Sequence, residues 1–165
     1  MQPPLLILAC GNPSRGDDAI GPLLLERLEA GLATSGRGAE VETLTDFQLQ
    51  VEHVLDLQGR RAVLFVDAAA SGPSPWALAP VTPVEDGSIS SHALSPGALL
   101  ATCRRVLGEP PPAFALAVRG YDFELGRGLS PGAARNLEAA LAFAAELWAP
   151  PDPAAWGRPA PSASS

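Results

Sequence analysis

One short stretch constrains this chain more than any other. The apolar run Leu5-Leu6-Ile7-Leu8-Ala9 breaks off into Gly11-Asn12-Pro13-Ser14-Arg15-Gly16-Asp17-Asp18-Ala19-Ile20-Gly21-Pro22. Leu24, Leu25, Leu28 and Leu32 follow at helical spacing. An unbroken apolar run reads as a strand buried on both faces, and the leucine spacing reads as the apolar stripe of a helix. Two adjacent carboxylates therefore sit in a tight, glycine-bounded turn from strand to helix. In an open parallel sheet, that end of a strand is where ligands bind.

The rest of the chain keeps alternating strand and helix, which predicts an α/β fold: three αβα layers, a mostly parallel twisted sheet of about five strands, and helices on both faces. The first strand is expected near Leu5 to Cys10 and the first helix from near Asp18 to Leu32, with Asp17 placed to cap it. Val41 to Leu44 reads as a short strand. Leu49 to Leu57 reads as a helix with Val51, Val54, Leu55 and Leu57 facing inward, and Ala62 to Val66 as a central strand. Pro73, Pro75, Pro80 and Pro83 confine any strand between Ser71 and Val84 to the edge of the sheet, because proline cannot complete a ladder in its middle. Pro96 to Val106 reads as a helix capped by Ser95, Phe114 to Val118 as a buried strand, and Pro131 to Leu147 as a helix capped by Ser130. Residues 1–148 form one domain in this reading. Residues 149–165, with five prolines among 17 positions, read as a disordered tail.

Composition removes several function classes. The 165 residues carry a net charge of −7 and no basic run, which excludes nucleic acid as an expected partner. All 11 basic residues are arginine, so no phosphate-loop lysine, Schiff-base lysine or Ser-Lys dyad is present. Two cysteines, Cys10 and Cys103, are too few for a disulfide framework or a four-cysteine zinc site, and they fit a reducing cytoplasm. No apolar run approaches a membrane span. Leu6-Ile7-Leu8-Ala9-Cys10 looks superficially like a lipoprotein cleavage box, but it lacks a preceding positive charge and a long apolar core.

In the common strand order 2-1-3, the first strand and the Ala62–Val66 strand are neighbours whose C-terminal ends flank one crevice. One end delivers Asn12, Asp17 and Asp18; the other delivers Asp67. Histidine is confined to His53 and His92. His92 follows a polar segment just before a helix, a place for a ligand or a proton shuttle. His53, among Val51, Val54 and Leu55, reads as structural. Asp18, Asp67 and His92 make an oxygen–oxygen–nitrogen set that suits nickel, zinc or iron. Cys10 lies near the crevice and reads as a small buried residue at a strand end. Asn12 either fixes the turn or polarises a carbonyl.

The pattern Gly-Asn-x-x-x-x-Asp-Asp-x-x-Gly after a first strand resembles the signature of the [NiFe]-hydrogenase maturation proteases. The resemblance continues through Val63-Leu64-Phe65-Val66-Asp67-Ala68, Ser90-Ser91-His92 and Gly128-Leu129-Ser130-Pro131. Gln48-Leu49 with Glu52, and Tyr121-Asp122-Phe123-Glu124-Leu125-Gly126, lean toward the branch serving NAD-reducing (bidirectional) hydrogenases. The resemblance implies an aspartate- and metal-assisted endopeptidase, cytoplasmic and monomeric. Its partner would be the hydrogenase large-subunit precursor, from which it removes a C-terminal extension after nickel insertion. It also implies that Asp18, Asp67 and His92, which match the family's metal-contacting positions, act as the catalytic and metal-contacting set. Nickel would be sensed in the substrate protein and not held permanently. The family often has glutamate where Asp18 stands, and aspartate is one methylene shorter. Two alternatives stand beside this reading: a nickel-sensing chaperone or checkpoint protein without catalysis, and a general metallopeptidase, against which the absence of a His-Glu-x-x-His helix counts.

Overall fold

The structure, a computed structural model, describes residues 2–85 and 94–147. His92 and the segment 149–165 lie outside the described residues. Strands β1 (Leu5–Cys10), β2 (Val41–Asp46), β3 (Ala62–Ala69), β4 (Trp76–Val81) and β5 (Ala113–Arg119) form one sheet in the order β2-β1-β3-β5-β4. Strands β2, β1, β3 and β5 run parallel, and β4 joins antiparallel at the edge. The order 2-1-3 expected from the sequence is the order found. Pro80 lies in β4 on that edge, where its missing N–H costs no central ladder bond.

Helices cover both faces, and alternation along the strands decides which side chain meets which layer. Leu5, Ile7 and Ala9 of β1, with Leu64 and Val66 of β3, pack against α1 (Ile20–Ser35) and α4 (Pro131–Leu147). Leu6, Leu8 and Cys10, with Val63 and Phe65, pack against α2 (Val54–Leu57) and α3 (Pro96–Val106). A strand buried on both faces has no polar positions, which is why β1 reads as an uninterrupted apolar run. Ser95 caps α3 by accepting from the Ala98 N–H at 3.1 Å, and Ser130 caps α4 by accepting from the Ala133 N–H at 3.2 Å.

Two local expectations are corrected. The segment expected as one helix from Leu49 to Leu57 is a 3-10 turn, Val51–His53, followed by the single-turn α2. So short an element covers only its sheet side. Leu49, Val54 and Leu57 are buried, while Val51 and Leu55 are 53% and 64% exposed. Asp17 does not cap α1. A 3-10 turn, Gly16–Ala19, precedes that helix, and no side chain caps either element.

Candidate active site

The turn after β1 is built from the backbone outward. Asn12 fixes it: its Oδ1 accepts from the Ser14 N–H at 2.9 Å, and its carbonyl accepts from the Arg15 N–H at 3.0 Å. Gly16 adopts φ +53°, and a Cβ there would run into the Asp122 carbonyl oxygen. Gly21, in the first turn of α1, lies against the Cys10 carbonyl oxygen, where a Cβ would again collide. The helix can thus start directly over the strand end.

The two adjacent carboxylates then part company. Asp17 is fully buried, with 0% exposure. Its Oδ2 accepts from the N–H groups of Tyr121 (2.6 Å) and Asp122 (2.9 Å) and from the Ser130 hydroxyl (2.7 Å); its Oδ1 accepts from the Ser130 N–H (2.7 Å). Its own N–H donates to the Asp122 carbonyl at 2.7 Å. Burial alone would raise its pKa. The backbone donors of Asp122, Ser130 and Tyr121 and the Ser130 hydroxyl outweigh that and hold the carboxyl below its ordinary value. Asp18 faces the other way, half-buried, with Oδ2 accepting from the Asn12 N–H at 2.7 Å.

Asp67 stands near the C-terminal end of β3, on the face that carries Val63 and Phe65. It is open to solvent along one side, but the walls of a cleft crowd around it. Desolvation raises its pKa to about 6, the Asp18 charge adds to the rise, and one hydrogen bond from the Ala68 N–H at 2.8 Å opposes it. The cleft has a volume of about 270 Å³ and takes Asp18 and Asp67 together into its lining. Leu8, Cys10, Phe65 and Val66 line the sheet side, Phe47, Gln48 and Leu49 one wall, and Leu94 and Pro96 the approach to α3.

Cys10 lines the same cleft and is buried, 7% exposed. It pairs in register with Asp46 of β2. Burial first, then the charges of Asp67, Asp46 and Asp18, push its thiol up to about 12. At neutral pH it carries its proton, and it is the thiolate that attacks or ligates.

Of the three expected site residues, the structure brings Asp18 and Asp67 into one cleft, and His92 lies outside the described residues. Among the described residues no group of three or more His, Cys, Asp or Glu side chains is arranged to hold a metal ion. Leu94 and Pro96, which come just after His92 in sequence, line the same cleft. Sequence reasoning missed the wall Phe47–Leu49. The signal was available: a strand ends at Asp46, and a loop leaving the C-terminal end of a parallel strand belongs to the ligand-binding edge. It also missed that Ser130, read as a cap, is shared with Asp17. No helix among the described residues is long and apolar enough to cross a membrane.

No protein-family model matches the chain, and no curated protein does. Solved structures do. The [NiFe] hydrogenase maturation protease HycI from Thermococcus kodakarensis KOD1 is 23% identical, superposes with a TM-score of 0.66, and is matched over 87% of this chain and 90% of its own. The hydrogenase maturating endopeptidase HybD from E. coli is 23% identical with a TM-score of 0.67, over 88% and 92%. An endopeptidase from Escherichia coli, solved in solution, is 23% identical with a TM-score of 0.65, over 88% and 93%. The chain therefore has the fold of the hydrogenase maturation proteases across nearly its whole length, as the resemblance in sequence implies.

Proposed function

We propose that this protein is an endopeptidase that removes the C-terminal extension of a [NiFe]-hydrogenase large-subunit precursor after nickel insertion. The observation that carries the reading is the pairing of Asp18 and Asp67 in one cleft at the C-terminal edge of the sheet. It occurs in a fold shared with hydrogenase maturation endopeptidases. Nickel is part of the substrate in this reading. Asp18, Asp67 and His92 would contact it there as an oxygen–oxygen–nitrogen set of the kind that suits a borderline metal.

Hydrolysis needs a group to take a proton from water and return it to the departing amine. In the free protein Asp67 has its pKa raised to about 6, and contact with the substrate's nickel would favour its ionised, proton-accepting form. Asp18 is oriented by the Asn12 N–H, and its charge helps keep the Asp67 proton affinity high. The neutral Cys10 thiol leaves water as the nucleophile. The apolar wall of Phe47 and Leu49 gives an extended peptide a surface to lie on. The branch serving NAD-reducing hydrogenases, a cytoplasmic location and a monomeric state complete the proposal.

The test is to incubate the purified protein with nickel-loaded and nickel-free precursor and weigh the products by mass spectrometry. Shortening of the loaded precursor alone is the expected result, with substoichiometric metal on the purified protein. Binding without shortening would overturn the peptidase reading in favour of a checkpoint protein. One tightly held metal per chain, surviving chelator, would favour a metallopeptidase with a resident ion.

A further inference from the structure

We propose that His53, which the sequence alone marks as structural, is a positioning residue for the cleft wall Phe47–Leu49. Through that wall it would set how tightly the precursor's C-terminal segment is held. The inference rests on the functional reading above for the identity of the bound peptide, and on geometry for everything else.

The wall is a three-residue bridge between Asp46, the last residue of β2, and Gln50, which precedes the 3-10 turn. Of its side chains Leu49 is buried in the core and anchors the far end, while Phe47 is 66% exposed and anchors nothing. The backbone at its two ends is tied as well. At the first end the Asp46 carbonyl accepts from the Gly11 N–H at 3.1 Å, and Asp46 Oδ1 accepts from the Phe47 N–H at 2.7 Å. At the other end the Gln50 N–H donates to His53 Nδ1 at 2.8 Å, and the Gln50 carbonyl accepts from the His53 N–H at 3.0 Å.

The His53 ring joins the two ends. An Nδ1 that accepts a hydrogen bond has no proton, so in the neutral ring the proton is on Nε2. Nε2 lies 3.4 Å from Asp46 Oδ2, with the imidazole 12% exposed and the carboxylate 39% exposed. The Asp46 contact is long and half-solvated and is worth little by itself. The short bond from Gln50 is the stronger one. The ring thus closes a clasp across the wall, and the clasp touches neither Asp18 nor Asp67 directly. Its loss should loosen peptide binding and leave the chemical step alone.

The test uses the full-length protein and has two arms. In the first, side-chain nitrogen NMR of the wild type, recorded at a pH where imidazoles are neutral, is expected to place the His53 ring proton on Nε2; only His92 competes for assignment. His53→Ala should speed amide hydrogen exchange at Gln50 by about tenfold or more, and His53→Asn, which keeps an acceptor near the Nδ1 position, should preserve most of the protection. An Nδ1-protonated ring, or unchanged exchange at Gln50 in His53→Ala, would overturn the clasp even if cleavage proceeds as proposed. In the second arm, precursor cleavage by His53→Ala should show KM raised by about tenfold with kcat within about twofold, and His53→Asn should recover most of the KM. A fall in kcat at unchanged KM would overturn the positioning role, as would unaltered kinetics in a folded variant. If the wild type cleaves no precursor, the functional reading fails while the first arm still decides the clasp.

Discussion

Asp17 and Asp67 flank the same edge of the sheet, the first fully buried and the second exposed at the cleft but crowded by its walls. Around Asp17 the chain supplies two backbone donors and a hydroxyl to one oxygen and a third backbone donor to the other. Around Asp67, among the described residues, it supplies one donor and a neighbouring negative charge. The first carboxyl is held below its ordinary pKa and the second is lifted to about 6. Burial raises both, so hydrogen bonding decides the sign of the outcome. The anchored region spends its carboxylate on holding the loop between β5 and α4 to the turn after β1. The open region leaves its carboxylate facing solvent, and so available to a substrate.

The largest effect expected from breaking this contrast is at Asp17. Asp17→Asn removes the charge and turns one acceptor oxygen into an amide facing N–H donors. A loss on the order of 3–5 kcal/mol in denaturant unfolding is expected, with cleavage lost as well because Asp18 is the next residue. Because the folded-state pKa of Asp17 is depressed, its stabilisation is fully present above about pH 4 and disappears as pH falls through the folded value. The variant should therefore show a flatter acid limb. Wild-type stability in Asp17→Asn would abolish the distinction between the two regions.

Next in size, Asp18→Asn and Asp67→Asn should each lower precursor cleavage by about 10³-fold or more while leaving the fold cooperative. If ionised Asp67 is the base, wild-type kcat/KM, which reports the free protein, should climb as pH rises through about 6, a limb absent from Asp67→Asn. A smaller effect sharpens the comparison. The folded state holds the Asp67 proton more tightly than the unfolded chain, so this residue subtracts stability as pH climbs from about 4 to beyond 6. Asp67→Asn should then be more stable than wild type at pH 7, by less than about 1 kcal/mol given the solvent at its side, with the gap closing near pH 4. The smallest effect is expected at Cys10. Cys10→Ala should cleave within about threefold of wild type and lose about 1 kcal/mol of stability. Loss of cleavage there, with Asp18→Asn active, would move the chemistry to the thiol.

The contrast also marks how far the sequence could be read. Strand β1, strand β3 and the crevice between their ends follow from two uninterrupted apolar runs and the topology rules for parallel sheets, so Asp18 and Asp67 were legible together. The proline positions put β4 at the edge, and Ser95 and Ser130 announced their helices. The direction of Asp17 was not legible, because its partners Tyr121 and Asp122 lie 104 and 105 positions along the chain and carry no local signal. The inward set of the Leu49–Leu57 segment failed because periodicity assumes a helix long enough to own a face. The positioning role of His53 was hidden for a related reason. A histidine between valines looks like core filler until both of its nitrogens are traced to the ends of one wall.

Gly16 and Gly21 carry a consequence for any survey of random variants. Neither bears a reactive group, yet a single methyl at either position would strike a carbonyl oxygen of the chain passing beside it. A library screened for function should therefore reject substitutions at these glycines about as firmly as at the carboxylates. Intolerance to replacement along this turn will not separate the residues that perform chemistry from those that make room for it. The two groups would part only under a screen for folding alone, where the glycines and Asp17 should still be rejected and Asp18 and Asp67 released.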